Sequence, residues 1–172
     1  HFVGIGGVGM GGFAVALAEC GHEITGSDGI LYDPMKSVLA AANIRLFEGF
    51  LPENVGKVLP DLVIIGNVVR KDNPEAEAWL RTQVRFLSFP EAVRIFLIQD
   101  RTSIICAGTH GKTTTTSWVA YLLDTLGMNP GYLIGGVPKD LPNGCRWNEG
   151  DVFVGEGDEY DSAFFDKGPK FL

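Results

Sequence analysis

The stretch Cys106-Ala107-Gly108-Thr109-His110-Gly111-Lys112-Thr113-Thr114-Thr115-Thr116 decides how this chain is read. The apolar run 103–107 leads into it, and a helical pattern over 118–126 leads out of it. A strand that passes through a glycine-containing turn into a helix N-terminus is a place where polyphosphate is held. Backbone N–H groups and the positive end of the helix dipole face the anion there. Lys112 supplies a point charge for the β- and γ-phosphates, and the Thr113 hydroxyl is a ligand for Mg²⁺. The common phosphate loop has four residues between its first glycine and the Gly-Lys pair. Here two residues, Thr109 and His110, separate Gly108 from Gly111, so the loop is tighter. The alternative is a Gly-Thr-rich turn before an ordinary helix, and the flanking strand and helix patterns favour the phosphate loop.

A second glycine turn lies upstream. Residues 2–5 read as a buried strand, and Gly4, Gly6 and Gly9 have G-x-G-x-x-G spacing. Met10, Phe13, Leu17 and Cys20 then recur at helical spacing, and Gly21 fits the stop. A short strand over 23–26 ends at Ser27-Asp28. Asp28 lies 19 residues beyond Gly9, where a dinucleotide fingerprint places its ribose-binding carboxylate. Alone, this turn signals a nucleotide or dinucleotide and does not say which.

The alternation continues with a helix over 33–42, with Asp33 as N-cap and Pro34 in its first position. A strand over 44–47 and the apolar run 62–65, of parallel-sheet type, come next. A helix opened by Asn73-Pro74 runs through Leu80, followed by a strand over 84–87 and a helix over 90–98. Strands and helices alternating at this length predict an α/β fold with a mainly parallel sheet.

The polar segment Gln99-Asp100-Arg101-Thr102 separates two complete patterns and sets a domain boundary. Residues 1–101 read as a Rossmann-like parallel-sheet unit, and residues 102–172 as the start of a P-loop-type α/β unit. Three strands are expected in the second unit, over 103–107, near 132–134 and over 152–154, which is marginal for independent stability. The chain opens inside a strand pattern and ends without a closing helix or polar tail, so it reads as a fragment.

Of the 172 residues, 45% are apolar and 20% charged, enough for a real core and too little charge for a disordered chain. The net charge of −7 argues against a nucleic-acid surface, which needs a basic stripe. No apolar run approaches the length of about 18 residues that a membrane span requires. Cys20, Cys106 and Cys145 show no metal-ligand spacing. Cys20 and Cys106 read as core residues. An odd cysteine count without a signal peptide suits a reducing, cytoplasmic compartment.

The apolar strand 152–154 delivers Glu156, Asp158, Glu159 and Asp161, four carboxylates within residues 156–161. In nucleotide-hydrolysing folds the strand beside the phosphate-loop strand ends in acids that hold Mg²⁺. Clustered carboxylates repel, and a divalent ion relieves that cost. The alternative is a solvated acidic loop. His110 either contacts a phosphate or fills the turn. Gly135-Gly136 either lets a ligand approach the backbone or forms a plain turn. His22 reads as a surface residue, and His1 carries no signal.

Two nucleotide-type sites followed by an acidic strand end are an unusual combination, and here the chain resembles the Mur ligases, the ATP-dependent amide-forming enzymes of peptidoglycan synthesis. Residues Gly4 to Met10 with Gly26-Ser27-Asp28 resemble the family's UDP-binding N-terminal domain. Ala107 to Thr114 resembles its ATP loop, whose short spacing is the family's own form. Residues 156–171, with Leu62 to Asn67 and Ile134 to Pro138, are similar to one branch, which joins the murein tripeptide (L-Ala-γ-D-Glu-meso-diaminopimelate) to UDP-N-acetylmuramate in cell-wall recycling. The L-alanine-adding branch is the runner-up. One motif departs: the family usually reads Glu-Ala-Asp-Glu, and this chain has Glu156-Gly157-Asp158-Glu159, where Gly157 adds backbone freedom.

The resemblance implies that Gly108, Thr109, His110, Gly111, Lys112, Thr113 and Thr114 hold ATP, with Lys112 the catalytic charge. It implies Thr113 and Glu156 as Mg²⁺ ligands. It also implies that Gly6, Gly7, Val8, Gly9 and Met10 present N–H groups to the diphosphate of the UDP-sugar, with Asp28 facing the uridine. UDP-N-acetylmuramate and the tripeptide would be the partners, and the fragment alone would bind weakly and catalyse nothing. Two readings from other classes stand beside it. An NAD(P)-dependent Rossmann oxidoreductase follows from the first turn and Asp28, and the ATP loop argues against it. A non-catalytic UDP-sugar-binding module is the other.

Overall fold

In the first half, each buried apolar stretch pairs in parallel with a neighbour and each intervening helix packs back over the sheet. The computed structural model describes residues 1–157. The elements are β1 (Phe2–Val3), α1 (Val8–Glu19), β2 (Thr25–Asp28), α2 (Met35–Ala41), β3 (Arg45–Glu48), β4 (Leu62–Ile65), α3 (Pro74–Leu80), β5 (Arg85–Ser88) and α4 (Phe89–Val93). The five strands form one parallel sheet of order β3-β2-β1-β4-β5. Chain order runs outward in both directions from β1. The topological switch point therefore lies between β1 and β4, and the crevice outside their carboxyl ends is where such sheets bind ligands.

Local chemistry explains the boundaries. The Asn73 side chain accepts from the Ala76 N–H and caps α3, with Pro74 at its first position. Ser88 and Glu91 form a capping box that starts α4. The helix expected over 90–98 changes pitch: Arg94–Ile98 is a π-helical turn. The helix expected from Asp33 starts later, with Pro34 as its N-cap residue after a cis Asp33–Pro34 bond. The Asp33 carboxylate still accepts from the Ser37 N–H, at 3.3 Å.

The second sheet is built from β6 (Thr102–Ala107), β7 (Gly131–Leu133), β8 (Cys145–Arg146) and β9 (Val152–Gly157), in the order β6-β9-β7-β8, with α5 (Lys112–Thr125) after β6. Three of these strands are parallel, and β8 is antiparallel to β7. Sequence reading expects three strands here and misses β8, which is two residues long and set in a Pro-, Asn- and Gly-rich stretch. Its partner α1 shows why a small sheet suffices. Phe13 of α1 shares one buried cluster with Leu133, Cys145 and Phe153, so the core of the first sheet continues into the second. Arg101 reinforces the join: its guanidinium donates to the Leu97 and Asn148 carbonyls, at 2.7 and 2.5 Å. Burial lowers its pKa, and Asp151 works against that shift.

Two side-chain expectations are corrected. Cys20 is exposed rather than in the core, because α1 ends at Glu19 and Cys20 already turns away from the sheet. Cys145 is the buried cysteine, and Cys106 is half-buried. His1 is buried and bonded: its ring nitrogens lie 2.8 Å from Thr25 Oγ1 and 2.9 Å from Glu75 Oε1. Glu75, fully buried, also accepts from Asn54 Nδ2 at 2.9 Å and Trp79 Nε1 at 3.4 Å. This network ties α3 to the amino-terminal edge of the sheet, the end away from the glycine turn.

Candidate functional site

The first glycine turn lies at the switch point. α1 starts at Val8 after the N-cap Gly7, and no side chain caps it. The exposed first turn therefore keeps its N–H groups for an anion. Asp28 sits against the turn: Oδ2 accepts from the Gly6 N–H at 2.6 Å and Oδ1 from the Gly29 N–H at 2.7 Å. A Cβ on residue 6 would lie 2.8 Å from Asp28 Oδ2, so glycine is needed for this approach. The carboxylate thus braces the turn, and the Gly6 N–H points at Asp28 in this arrangement.

Two buried polar groups at the strand ends have no hydrogen-bond partner among the described residues: Ser27 Oγ of β2 and Asn67 Oδ1 just beyond β4. Orphaned acceptors at this depth are rare in native structures. The sequence alone gives neither residue a role. The available signal was position: each is a polar residue at the carboxyl end of a parallel strand flanking β1.

The second site forms where β6 runs into α5. Gly111 is the N-cap, with φ +77° in the left-handed region, and no side chain caps α5. Lys112 Nζ donates to the Gly108 carbonyl at 2.8 Å and so reaches back across the loop. The threonine run divides by role. Thr116 Oγ1 donates to the Lys112 carbonyl and Ser117 Oγ to the Thr113 carbonyl, so both hydroxyls are spent on the helix. Thr113 Oγ1 instead donates to Glu156 Oε2 at 3.1 Å. Thr109, His110 and Thr114 are exposed.

β9 lies between β6 and β7, with Glu156 in register with Cys106, and this places the carboxylate beside the loop. Glu156 is buried, and its Oε1 accepts from the Gly135 N–H at 2.6 Å. Gly157 fits its place tightly: a Cβ there would lie 3.1 Å from Ala107 Cβ and 3.0 Å from Ile105 Cγ2. Close strand packing therefore accounts for the departure from the alanine of the usual motif. Asp158, Glu159 and Asp161, and the segment through Lys167, lie outside the described residues.

The donors fit Mg²⁺. A carboxylate and a hydroxyl are hard oxygen ligands, and Mg²⁺ is commonly bound through one or two protein ligands plus phosphate oxygens and water. The 3.1 Å between Thr113 Oγ1 and Glu156 Oε2 is close to the ~2.9 Å edge of an octahedron with metal–oxygen bonds of about 2.05 Å. Among the described residues no group of three His, Cys, Asp or Glu side chains could hold a metal.

A family model described as Mur ligase family, catalytic domain, matches residues 1–101. The chain is 43% identical over its 172 residues to the Escherichia coli UDP-N-acetylmuramate–L-alanyl-gamma-D-glutamyl-meso-2,6-diaminoheptandioate ligase and spans 37% of that protein. It is 39% identical over 163 residues to the UDP-N-acetylmuramate–L-alanine ligase of Rubrobacter xylanophilus, covering 36% of it. The solved structure of the UDP-N-acetylmuramate:L-alanyl-gamma-D-glutamyl-meso-diaminopimelate ligase from Neisseria meningitides superposes with a TM-score of 0.92 at 38% identity, over 99% of this chain and 55% of that one.

Proposed function

The chain belongs to the Mur ligase family, and we propose that its full-length protein is an ATP-dependent ligase joining murein tripeptide to UDP-N-acetylmuramate. The observation that carries this reading is the meeting of Thr113 and Glu156 beside an uncapped phosphate loop, on a chain that holds a separate uncapped glycine turn at its first switch point. A dehydrogenase has no use for the former, and a simple ATPase none for the latter.

In this reading residues 1–101 bind the UDP-sugar and residues 102 onward begin the ATP domain. The N–H groups of Gly7, Val8, Gly9 and Met10 hold the diphosphate, while Asp28 keeps the turn in shape through Gly6 and lies on the uridine side. Ser27 and Asn67 offer their orphaned oxygens to donors on the ligand. The lactyl carboxylate attacks the γ-phosphorus of ATP, the bond to ADP breaks, and an acyl phosphate results. The amine of the peptide then displaces phosphate to leave an amide. Gly108, Thr109, His110, Gly111 and Thr114 surround the phosphates. Lys112 leaves the Gly108 carbonyl to neutralise charge on the transferring phosphoryl group. Mg²⁺, held by Thr113 and Glu156, supplies further neutralisation when bound. No helix is long and apolar enough to cross a membrane among the described residues, and a cytoplasmic location fits the nucleotide substrates.

The choice of acceptor rests on the similarity of the chain to tripeptide ligases at 43% and 37% identity and on residues 156–171. The test is ADP release by the full-length protein with UDP-N-acetylmuramate and either amine. Turnover with tripeptide and none with L-alanine supports the reading; the reverse replaces it with the L-alanine-adding activity.

A further inference from the structure

We propose that the turn Gly135-Gly136 is a positioning element for the cation-binding pair, and that its hairpin takes its own position from α1, the helix that carries the first glycine turn. The inference rests on the reading of Thr113 and Glu156 as cation ligands. Neither glycine touches the reacting atoms; each acts through a ligand.

The turn meets both ligands. The Gly135 N–H fixes Glu156 Oε1 at 2.6 Å, which leaves Oε2 directed at Thr113. A Cβ on residue 135 would lie 3.3 Å from Glu156 Oε2, the oxygen that faces the cation. A Cβ on residue 136 would lie 3.2 Å from Thr113 Cγ2. Both distances are tighter than ordinary van der Waals contact, so a side chain at position 135 presses on the Glu156 carboxylate and one at position 136 on the Thr113 methyl, by a few tenths of an ångström. Glycine here is required for space around the pair rather than for an unusual backbone angle.

The hairpin is held at its other end. The Gly144 carbonyl accepts from the Ile134 N–H at 2.7 Å, and a Cβ on residue 144 would lie 2.5 Å from the Gly136 carbonyl oxygen. The next residue, Cys145, is buried against α1, where a Cβ on Gly12 would lie 3.3 Å from Cys145 Cβ. Arg146 then pairs with Asp124 of α5 at 2.9 Å. Contacts thus run without a gap from α1 through Cys145, Gly144 and Gly136 to Thr113 and Glu156. Close-packed interiors transmit such displacements rather than absorb them.

The test uses Mn²⁺ as the probe, titrated by electron paramagnetic resonance into full-length protein with ADP. Gly136→Ala is expected to weaken Mn²⁺ binding about 3- to 10-fold, as misplaced ligand geometry does. Adding Thr113→Ser, which deletes Cγ2 and keeps the hydroxyl, is expected to restore it. Gly12→Ala is expected to weaken Mn²⁺ binding in the same direction, and Gly12→Ala with Cys145→Gly to recover it. Wild-type Mn²⁺ affinity in folded Gly136→Ala, or failure of Thr113→Ser to restore it, overturns the positioning role of the turn. Wild-type affinity in Gly12→Ala overturns the link to α1. Glu156→Gln distinguishes failure of the positioning role from failure of the cation site: if it binds Mn²⁺ as tightly as the wild type, Glu156 is not a cation ligand. Circular dichroism identifies variants that do not fold; Gly135→Ala, whose Cβ would press on Glu156 Oε2, then replaces Gly136→Ala, and Cys145→Val, which enlarges the side chain facing Gly12, replaces Gly12→Ala.

Discussion

Replacing Glu156 by glutamine should separate the chemistry of this site from its architecture. In the native arrangement Oε1 accepts from the Gly135 N–H and Oε2 from the Thr113 hydroxyl. Glutamine can keep both contacts, with its carbonyl oxygen on Gly135 and its amide nitrogen donating to the Thr113 hydroxyl. What goes is the charge. A hydrogen bond to a charged group contributes about 1.5–3 kcal/mol against 0.5–1.5 for a neutral one, so the fold loses about 1 kcal/mol. Relief of burying a carboxylate offsets part of that. The cation loses far more. Two unit charges 4 Å apart attract by about 4 kcal/mol at an effective dielectric of 20. A bound dication is closer and doubly charged, although water replaces part of the lost ligation. A net loss of about 100-fold in Mg²⁺ affinity, or ~2.7 kcal/mol, is expected. The assay pairs urea unfolding with the Mg²⁺ dependence of ADP release. Mg²⁺ dependence within about twofold of wild type would remove the carboxylate from the cation, and a stability loss above about 3 kcal/mol would make it a structural group; either result contradicts the role given to Glu156.

Lys112→Ala should abolish ADP release while leaving UDP-N-acetylmuramate affinity unchanged by calorimetry, because the two glycine turns sit on different sheets; retained turnover removes Lys112 from the mechanism. Glu75→Ala leaves His1, Asn54 and Trp79 without their shared buried acceptor and should cost about 3–5 kcal/mol in urea unfolding; a loss below 1 kcal/mol contradicts that network. Burial, with Glu19 and Cys20 adding to it, raises the pKa of the Cys145 thiol, so the folded state keeps this thiol neutral. The stabilisation is complete below the unfolded thiol value near 8.5 and declines as pH rises above it, by up to about 1.4 kcal/mol per pH unit. Urea unfolding at pH 7 and 9.5 should show this decline, and Cys145→Ala should flatten it. Aromatic-disulfide titration of the native protein should label exposed Cys20 and leave Cys145 unreacted until denaturation.

The parts of the fold visible in the sequence are those set by local physics. The runs 62–65 and 152–154 are apolar because parallel strands are covered on both faces. The two glycine turns stand out because the left-handed backbone at Gly4 and Gly111 and the close approach of Asp28 to Gly6 tolerate no side chain. Asn73-Pro74 marks α3 because a cap and a first-turn proline occupy adjacent positions. What stayed hidden depends on distance along the chain. Glu156 was visible as an acid at a strand end, yet its bond to the Gly135 N–H spans 21 residues, and no periodicity encodes that. β8 is too short to show a pattern. His1 gained meaning only when Glu75, 74 residues away, was folded against it. Cys20 kept the helical spacing of a core residue one step past the end of its helix. Asp28 was legible as a carboxylate belonging to the first turn, and the structure adds that it holds the turn through Gly6.

The most direct measurement is calorimetric titration of the full-length protein with UDP-N-acetylmuramate and, separately, with NADH. Saturable binding of the UDP-sugar at one site per chain, retained in Lys112→Ala, with no binding of NADH, is the expected result. Binding of NADH without the UDP-sugar would contradict it, since the turn at Gly4 to Gly9 would then serve a dinucleotide and the ligase reading would fall.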